Sequence, residues 1–381
     1  MSTHLIRMLI LRFLSQHDSL TYNTSFVRVR GLIRSICQIT QLTMPSRLTY
    51  SKSGDPIEVL RKEDCPLPNL EDGEVLLEML AAPVNPVDIN IIQGKYPMHT
   101  EAPGYEGVAR VVKVGSHVEN LIVGDHVVPM KYVGTWRTHL ALPEAVLLKV
   151  PKELGLAEAA TLAINPPTMY RMLKDYVQLQ AGDTVVQNGA NSACGVIAIQ
   201  LCRIWGIKTV NVIRDRPDIG KLKNFLKDLG ATYVFTEEEF AKTDIFKSGA
   251  LDKPLLALNC VGGKSATQLV RQLDFGGVLV TYGGMSMEPV SVPTSALIFR
   301  DIRLEGFSIN RWYENEDNIT ERAKMYTDLI SLLSKGELKA PPHVFVSFEN
   351  YKDAIKNTLS KNGMVGKKYI LDYGVQFNNK M

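Results

Sequence analysis

Short apolar runs alternate with helical segments between residues 183 and about 305, and this alternation constrains the fold more than any other feature of the chain. The apolar runs are predicted strands and the intervening segments are predicted helices. The strands are 184–188, 208–213, 255–260 and 277–282, and the first two helices are 193–205 and 218–229. Apolar strands that are separated by helices form a parallel sheet with both faces covered. This part of the chain therefore predicts a doubly wound, Rossmann-type α/β domain.

The preceding residues, from about 48 to 160, have a different pattern, in which short apolar runs are broken by Gly and Pro. Runs such as 74–80, 107–115 and 124–129 are typical of strands in a compact β-rich lobe. After the alternating segment come a predicted helix at 319–335 and short strands at 344–346 and 368–371. A chain of 381 residues has room for both lobes.

The first 47 residues are basic and rich in Ser and Thr. They contain six Arg, no Lys and a single acid, Asp18. This composition is typical of a mitochondrial transit peptide, which predicts a protein of the mitochondrial matrix. The alternative is a disordered basic tail. A secretory signal fits less well, because Arg12 interrupts the apolar stretch and no small-residue cleavage site follows it.

Charge, hydropathy and cysteine content exclude several classes of protein. The net charge is only +3, and without the basic leader it falls to about −2, so a nucleic-acid partner is not expected. No apolar run reaches the roughly 18–20 residues that span a bilayer. The five cysteines form no CxxC pair, which argues against a disulfide framework or a zinc lobe and favours a reducing compartment.

A turn of small residues, 189–195, follows the strand 184–188 and opens the apolar helix. Small side chains allow backbone N–H groups to approach a pyrophosphate, and the helix N-terminus adds partial positive charge. Gly195 permits close packing of the helix against the strand. The sequence is not a strict GxGxxG, so an ordinary strand-to-helix turn is the alternative.

The end of the second strand indicates which dinucleotide is bound. An NAD site has an acidic residue there for the ribose hydroxyls, whereas this chain has Arg214, Asp215 and Arg216. Two guanidiniums suit a 2′-phosphate and favour NADPH. Asp215 leaves open a contact with a ribose hydroxyl or an arginine, and a solvated charged loop is the alternative. The loop 282–285 also follows a strand and is expected near the nicotinamide.

Five segments carry a resemblance to a known family. They are 81–96, 134–138, 165–173, 214–218 and 258–265. The chain passes from a β-rich lobe to a Rossmann unit and then back to the first lobe. This order and the five segments resemble the zinc-free medium-chain dehydrogenase/reductase superfamily. Within it, the segments resemble the mitochondrial trans-2-enoyl-CoA reductases, also called 2-enoyl thioester reductases. The resemblance covers residues 48–381. It implies a GroES-like catalytic domain at 48–164, a Rossmann domain at 165–306 and a catalytic return at 307–381.

The resemblance implies a reaction. NADPH delivers a hydride to the β-carbon of a trans-2-enoyl thioester, carried on acyl carrier protein or CoA, and the α-carbon takes a proton. In mitochondrial fatty acid synthesis this step yields the saturated acyl chain. Tyr96 matches the family's catalytic tyrosine, whose phenol stabilises the enolate or supplies the proton. Judged by its own context before Pro97, Tyr96 is more often a packing residue. Relatives form homodimers through an edge strand, here 302–307.

The resemblance also implies cofactor contacts. Around the pyrophosphate they are Asn165, Asn191, Ser192, Ala193 and Cys194; at the adenosine phosphate Arg214, Asp215 and Arg216; and toward the nicotinamide Tyr282, Gly283, Gly284, Met285, Phe307, Ser308 and Ile309, with Lys368 near the end of the chain. Asn165 precedes a proline, which favours an extended conformation that leaves its amide free to orient a ligand.

No metal is expected. Zinc-dependent relatives have a Gly-His-Glu segment and a cysteine lobe, whereas the matching triplet here is Gly104-Tyr105-Glu106 and no cysteine cluster exists.

Three departures from the family pattern bear on activity. The stretch 97–105 is shorter than usual, Ser308 stands where relatives often have Trp, and Cys194 stands where Val is usual. A displaced loop after the catalytic tyrosine would slow the reaction, and Ser308 could widen the acyl pocket. Two alternatives therefore stay open: a zinc-free quinone reductase with the same cofactor, and a catalytically weakened, NADPH-binding paralogue.

Overall fold

The structure is a computed structural model that describes residues 44–96, 100, 102–359 and 367–375. Most of the predicted transit peptide, 1–47, and the middle of the shortened stretch 97–105 lie outside the described residues. Residues from Pro45 onward form one compact unit. No helix among the described residues is long and apolar enough to cross a membrane.

The first lobe consists mainly of strands. They are β1 (Ser46–Thr49), β2 (Arg61–Asp64), β3 (Glu74–Pro83), β4 (Val108–Val114), β5 (His126–Pro129), β6 (His139–Pro143) and β7 (Leu147–Val150). Three short helices accompany them: α1 (Pro56–Val59), α2 (Pro86–Ile92) and α3 (Leu156–Ala160). β1 begins at Ser46, two residues inside the segment 1–47. The three strands predicted for this lobe are confirmed as β3, β4 and β5.

The middle of the chain alternates strictly between helix and strand. Its elements are α4 (Asn165–Asp175), β8 (Thr184–Gln187), α5 (Ala193–Ile204), β9 (Lys208–Ile213), α6 (Ile219–Asp228), β10 (Tyr233–Thr236), α7 (Glu237–Lys242), β11 (Leu256–Asn259), α8 (Gly263–Gln272), β12 (Val278–Thr281), α9 (Thr294–Arg300) and β13 (Arg303–Gly306). The six strands are all parallel, in the order β10-β9-β8-β11-β12-β13. This is the doubly wound Rossmann order, and it reverses between β8 and β11, where such sheets bind ligands.

The last part of the chain returns to the first lobe. It comprises α10 (Ile309–Glu314), α11 (Ile319–Ser334), β14 (His343–Ser347), α12 (Tyr351–Leu359) and β15 (Lys368–Asp372). β15 pairs in parallel with β14 and antiparallel with β3, so the terminal strands complete a seven-stranded sheet with β3–β7.

A continuous apolar core joins the two sheets. It includes Leu80 and Val108 of the first lobe, Met169 of α4, and Val185 and Leu258 of the parallel sheet. All four residues of β8 and of β11 are buried, because helices cover both faces of this sheet. α4 thus lies between the lobes and carries Asn165 to their junction.

The expectation that Asn165 is extended is wrong. Asn165 is the first residue of α4, and Pro166 and Pro167 occupy its first turn. Prolines are tolerated there because first-turn N–H groups have no intrahelical acceptor, and their fixed φ suits a helix.

Candidate active site

The turn between β8 and α5 has the geometry of an anion-binding site. Ser192 caps α5, and its Oγ accepts a hydrogen bond from Gly195 N at 3.1 Å. Ala193 and Cys194 form the start of the helix, and Asn191 is buried just before it. Backbone N–H groups of this first turn and the positive end of a 12-residue helix meet here. The arrangement suits a phosphate group.

Two glycines make this turn tight. A Cβ on Gly195 would lie 2.4 Å from Ala190 O, and one on Gly189, which has φ +56°, would lie 2.5 Å from Cys260 Sγ. Neither position accepts a side chain without displacing its neighbours. The need for Gly195 to be a glycine is confirmed, and the shape fits the close approach of a dinucleotide pyrophosphate.

A buried amide network fixes the two strand ends at the point where the strand order reverses. Asn188 Nδ2 donates to Asn259 Oδ1 at 2.8 Å, and Asn188 Oδ1 accepts from Cys260 N at 2.9 Å. Both asparagines are 0% exposed. Sequence reasoning missed this network, although an Asn ending two separate apolar runs was an available signal.

The charged segment after β9 is compact. Asp215 Oδ1 accepts from Arg216 N at 2.8 Å, and Arg216 Nε donates to Arg214 O at 3.3 Å. Burial, and then the charge of Arg214, lowers the pKa of the Arg216 guanidinium. The two cations therefore lie close together at the end of the second strand, where a phosphate would satisfy both. Asp215 is engaged by the backbone of its own turn.

The residues predicted on the nicotinamide side follow the next strands of the same sheet. Met285 N donates to Cys260 O at 3.0 Å, and Phe307 N donates to Thr281 O at 3.0 Å. Residues 282–285 thus follow β12, and Phe307, Ser308 and Ile309 follow β13. Tyr282, Gly283, Phe307 and Ser308 are half-buried, Ile309 is buried, and Gly284 and Met285 are exposed. A cavity of about 270 Å³ adjoins Phe307 and Ser308.

Lys368 lies in a buried polar cluster that joins the two lobes. It comes from β15 and is 7% exposed. Its Nζ donates to Asn165 Oδ1 at 2.8 Å and to Asn85 Oδ1, and lies 3.4 Å from Glu106 Oε1. Asn165 Nδ2 in turn donates to Cys194 Sγ at 3.3 Å. The structure therefore brings together Asn165, Cys194 and Lys368, three predicted site residues from distant parts of the chain.

Tyr96, the predicted catalytic residue, comes from the first lobe. It follows α2 and the left-handed residue Gly94, which has φ +71°, and it is half-buried. Burial, and then the proximity of Tyr96, raises the pKa of the Tyr105 phenol above its usual value. The Tyr96 and Tyr105 side chains are therefore close enough to interact electrostatically.

Asp88 is a buried carboxyl group that sequence reasoning missed, together with Asn85 and Glu106. It is 1% exposed, its Oδ2 accepts from Asn85 N at 2.8 Å, and its Oδ1 has no hydrogen-bond partner within the described part of the chain. Burial, reinforced by the negative charge of Glu106 and opposed by Lys368, raises the pKa of Asp88 to about 7.

We expect Asp88 to make stability fall as pH rises. In the folded protein the Asp88 carboxyl keeps its proton up to about pH 7, whereas in the unfolded chain it loses the proton near pH 4. Its contribution to the free energy of unfolding is therefore complete below about pH 4 and is lost as the pH rises to about 7. Between pH 5 and pH 7 the loss amounts to about 3 kcal/mol at most. As the pH is raised from 5 to 7, the melting temperature of Asp88→Asn should therefore rise relative to that of the wild type, because Asn does not titrate.

Asp125→Asn provides the matched control. Asp125 is also buried, but its pKa is lowered. The effect of burial is outweighed by the ion pair with Lys149 at 2.7 Å, the hydrogen bond from Ile122 N and the charge of Lys152 taken together. Its contribution is present above the unfolded pKa and is lost as pH falls below about 4. Equal pH profiles for wild type and Asp88→Asn between pH 5 and 8 would show that Asp88 does not titrate there.

No group of three or more His, Cys, Asp or Glu side chains within the described ranges could hold a metal ion. Tyr105 occupies the middle of the triplet in which zinc-dependent relatives have His.

Comparisons with known proteins agree on one family. Residues 71–152 match the alcohol dehydrogenase GroES-like domain, and residues 193–324 match the zinc-binding dehydrogenase family. The mitochondrial enoyl-[acyl-carrier-protein] reductase of Xenopus tropicalis is 44% identical over 333 residues, which cover 85% of this chain and 94% of the relative. The human enzyme of the same name is 45% identical over 332 residues, with coverages of 85% and 87%.

Solved structures give the same result. A complex of Etr1p with NADP and crotonyl-CoA is 34% identical, covers 86% of this chain and 99% of its own, and has a TM-score of 0.79. The mitochondrial 2-enoyl thioester reductase Etr1p/Etr2p heterodimer of Candida tropicalis is 32% identical, with coverages of 87% and 100% and a TM-score of 0.80.

Proposed function

The chain belongs to the family of mitochondrial enoyl-[acyl-carrier-protein] reductases, and we propose that it reduces trans-2-enoyl thioesters with NADPH in mitochondrial fatty acid synthesis. It is a mitochondrial, NADPH-dependent oxidoreductase acting on a carbon–carbon double bond. The observation that carries the proposal is the double contact of Asn165, which bonds to Cys194 of the pyrophosphate turn and to Lys368 of the first sheet. This contact joins the turn after β8 to the sheet of the first lobe, and that lobe also carries Tyr96.

The cofactor contacts are proposed from the positions of the first turn of α5, the arginine segment after β9 and the Lys368 cluster. The first turn of α5 would hold the pyrophosphate, and Arg214 and Arg216 would hold the 2′-phosphate. Lys368 and Asn165 would contact the cofactor where the lobes meet, and residues 282–285 and 307–309 would line the nicotinamide side. NADPH, when bound, supplies the hydride that goes to the β-carbon of the enoyl thioester.

Tyr96 is proposed as the catalytic residue. Hydride addition to the β-carbon moves the double-bond electrons toward the thioester oxygen and forms an enolate. The Tyr96 hydroxyl would donate a hydrogen bond to that oxygen or a proton to the α-carbon, which completes the saturated acyl group. The half-buried position of Tyr96 in the first lobe, where it interacts with Tyr105, supports this assignment.

We also propose the division of the chain. Residues 1–47 would act as a transit peptide into the matrix, 48–164 and 307–381 would form the catalytic domain, and 165–306 would form the nucleotide domain. The return of β15 to β3 supports this scheme.

The test of function is NADPH oxidation by protein lacking residues 1–43, with crotonyl-CoA, a longer trans-2-enoyl-CoA and a quinone. We expect turnover of both enoyl esters. Turnover of the quinone alone would support the quinone-reductase alternative. NADPH binding without turnover of any substrate, by well-folded protein, would support the catalytically weakened paralogue and would point to the shortened stretch 97–105 or to Ser308.

A homodimer is proposed through the edge of the parallel sheet. β13 is the terminal strand of that sheet and all four of its residues are exposed. Next to it in the chain, α9 exposes Leu297, Ile298 and Phe299, the last by 74%. An open strand edge beside an exposed apolar helix favours two-fold pairing with a second copy.

The oligomer prediction is tested by charge insertion. We expect the double variant Phe299→Glu, Leu304→Glu to elute as a monomer in size-exclusion chromatography with light scattering, while the parent elutes as a dimer. Ile122→Glu, which alters an apolar residue of the first lobe whose exposure lies between those of Phe299 and Leu304, should leave the dimer intact. A monomeric parent at micromolar concentration would contradict the proposal.

A further inference from the structure

Glu106 is a fully buried carboxylate to which no step of the proposed reaction has been assigned. It is 0% exposed and lies just before β4. Its Oε1 accepts a hydrogen bond from Asn85 Nδ2 at 3.0 Å and lies 3.4 Å from Lys368 Nζ. Its Oε2 accepts from the backbone N of Ile164 at 3.2 Å. One side chain therefore ties together the start of α2, the residue before α4, and β15.

These contacts leave the Lys368 ammonium little freedom. Three oxygen atoms surround it, from Asn85, Glu106 and Asn165, and its side chain is only 4% exposed. A buried ammonium needs such partners, because burial without them removes the hydration of its charge. Glu106 supplies the compensating charge and also holds the Asn85 side chain that bonds to the same ammonium.

The same carboxylate fixes the start of α4. Its bond to Ile164 N anchors the residue that immediately precedes Asn165. Asn165 then faces Lys368 with its oxygen and Cys194 with its nitrogen. Glu106 is thus linked to the pyrophosphate turn through two routes, one by Lys368 and one by the α4 backbone.

We propose that Glu106 is a positioning residue that holds Lys368 and Asn165 in the orientation required to bind NADPH. The inference rests on the proposed function, in which Lys368 and Asn165 contact the cofactor. Glu106 itself lies behind them, so its effect on the cofactor is exerted through these two side chains. Small displacements of positioned groups cost large factors in binding and rate.

The test is a double-mutant cycle on NADPH affinity, measured by fluorescence titration without any enoyl substrate. Glu106→Gln keeps the size of the side chain but removes the charge, and it presents an amide N–H where Lys368 or Ile164 now donates. We expect its Kd for NADPH to rise by about 10-fold or more. In a Lys368→Met background, the same Glu106→Gln change should raise Kd by a smaller factor, since only the route through Ile164 N and Asn165 remains.

Asp125→Asn is the matched control for this experiment, because it also removes a buried carboxylate paired with a lysine in the first lobe. It should lower the melting temperature and leave the Kd for NADPH unchanged. Glu106→Asp covers the case in which Glu106→Gln does not fold. It keeps the charge but shortens the reach by one methylene, and we expect an intermediate Kd.

Three results would overturn the inference. In the first, both Glu106 variants melt earlier but bind NADPH with the parental Kd, which would assign Glu106 to stability alone. In the second, the effects of Glu106→Gln and Lys368→Met multiply, which would show that Glu106 acts independently of Lys368. In the third, the wild type itself fails to bind NADPH, which would remove the proposed function and this inference together. The first two leave the reductase assignment intact, so the two failures are distinguishable.

Discussion

Tyr96→Phe should reduce crotonyl-CoA at least ~10-fold more slowly than the parent enzyme while binding NADPH with the same Kd. The change removes one hydroxyl and keeps the ring. A positioned acid contributes about 10²–10⁴ to the rate, and a donor to a developing oxyanion contributes a similar factor. Because the loss concerns groups that interact in the transition state, we expect it in kcat and in kcat/KM alike.

The effect of this variant on the rate can be assigned to the missing hydroxyl. Tyr96 is half-buried and interacts with Tyr105, and the Phe ring keeps the size and shape of the buried part of the side chain. Tyr233→Phe is the matched control, since Tyr233 is half-buried on β10 in the nucleotide lobe and stacks on Phe235. It should retain parental kcat. Parental turnover in Tyr96→Phe would remove Tyr96 from the mechanism but would leave the reductase assignment in place.

The double variant Arg214→Ala, Arg216→Ala should lose about 100-fold in kcat/KM for NADPH and change far less with NADH. Charge-assisted hydrogen bonds contribute about 1.5–3 kcal/mol each, and a loss of about 2.7 kcal/mol corresponds to 100-fold. NADH has no 2′-phosphate, so it gains nothing from these cations. The two guanidiniums lie close together after β9, which makes the double change necessary.

Lys221→Ala is the control for general electrostatics. Lys221 is a neighbouring surface cation whose side chain is 84% exposed and pairs with Asp218 at 3.4 Å. Its removal should leave the ratio of NADPH to NADH activity unchanged. An equal loss with both cofactors in the arginine double variant would show that Arg214 and Arg216 support the loop or the adenosine and do not select the 2′-phosphate.

The sequence predicts well those elements whose residue pattern is contained within a few neighbouring positions. The strands β8, β9, β11 and β12 appear as apolar runs because both faces of the parallel sheet are covered, and the turn 189–195 is visible because tight geometry requires glycine. The expectation that fails is the extended conformation of Asn165. A residue before a proline is biased against helix, but prolines are tolerated in the first turn of a helix, and Asn165 begins α4.

The residues that sequence missed are polar side chains inside apolar segments. Asn85, Asp88 and Glu106 have no common spacing, and each reads by itself as a cap or a solvated charge. Asn188 and Asn259 end two apolar strands but face each other only in the folded sheet, 71 residues apart in sequence. The roles of all these side chains depend on partners from other elements. Only the asparagines at the ends of two apolar runs leave a local signal, and that signal does not identify the partner.

The sequence by itself determined the parallel sheet, the tight glycine turn after β8 and the paired arginines after β9, because periodicity, glycine and charge act over a few neighbouring residues. Only the tertiary structure decided the site at the junction of the lobes. Lys368 meets Asn85 across 283 residues and Asn165 across 203. These contacts form only when β15 closes against β3, and burial at that junction then requires that the charge of Lys368 be compensated by Glu106.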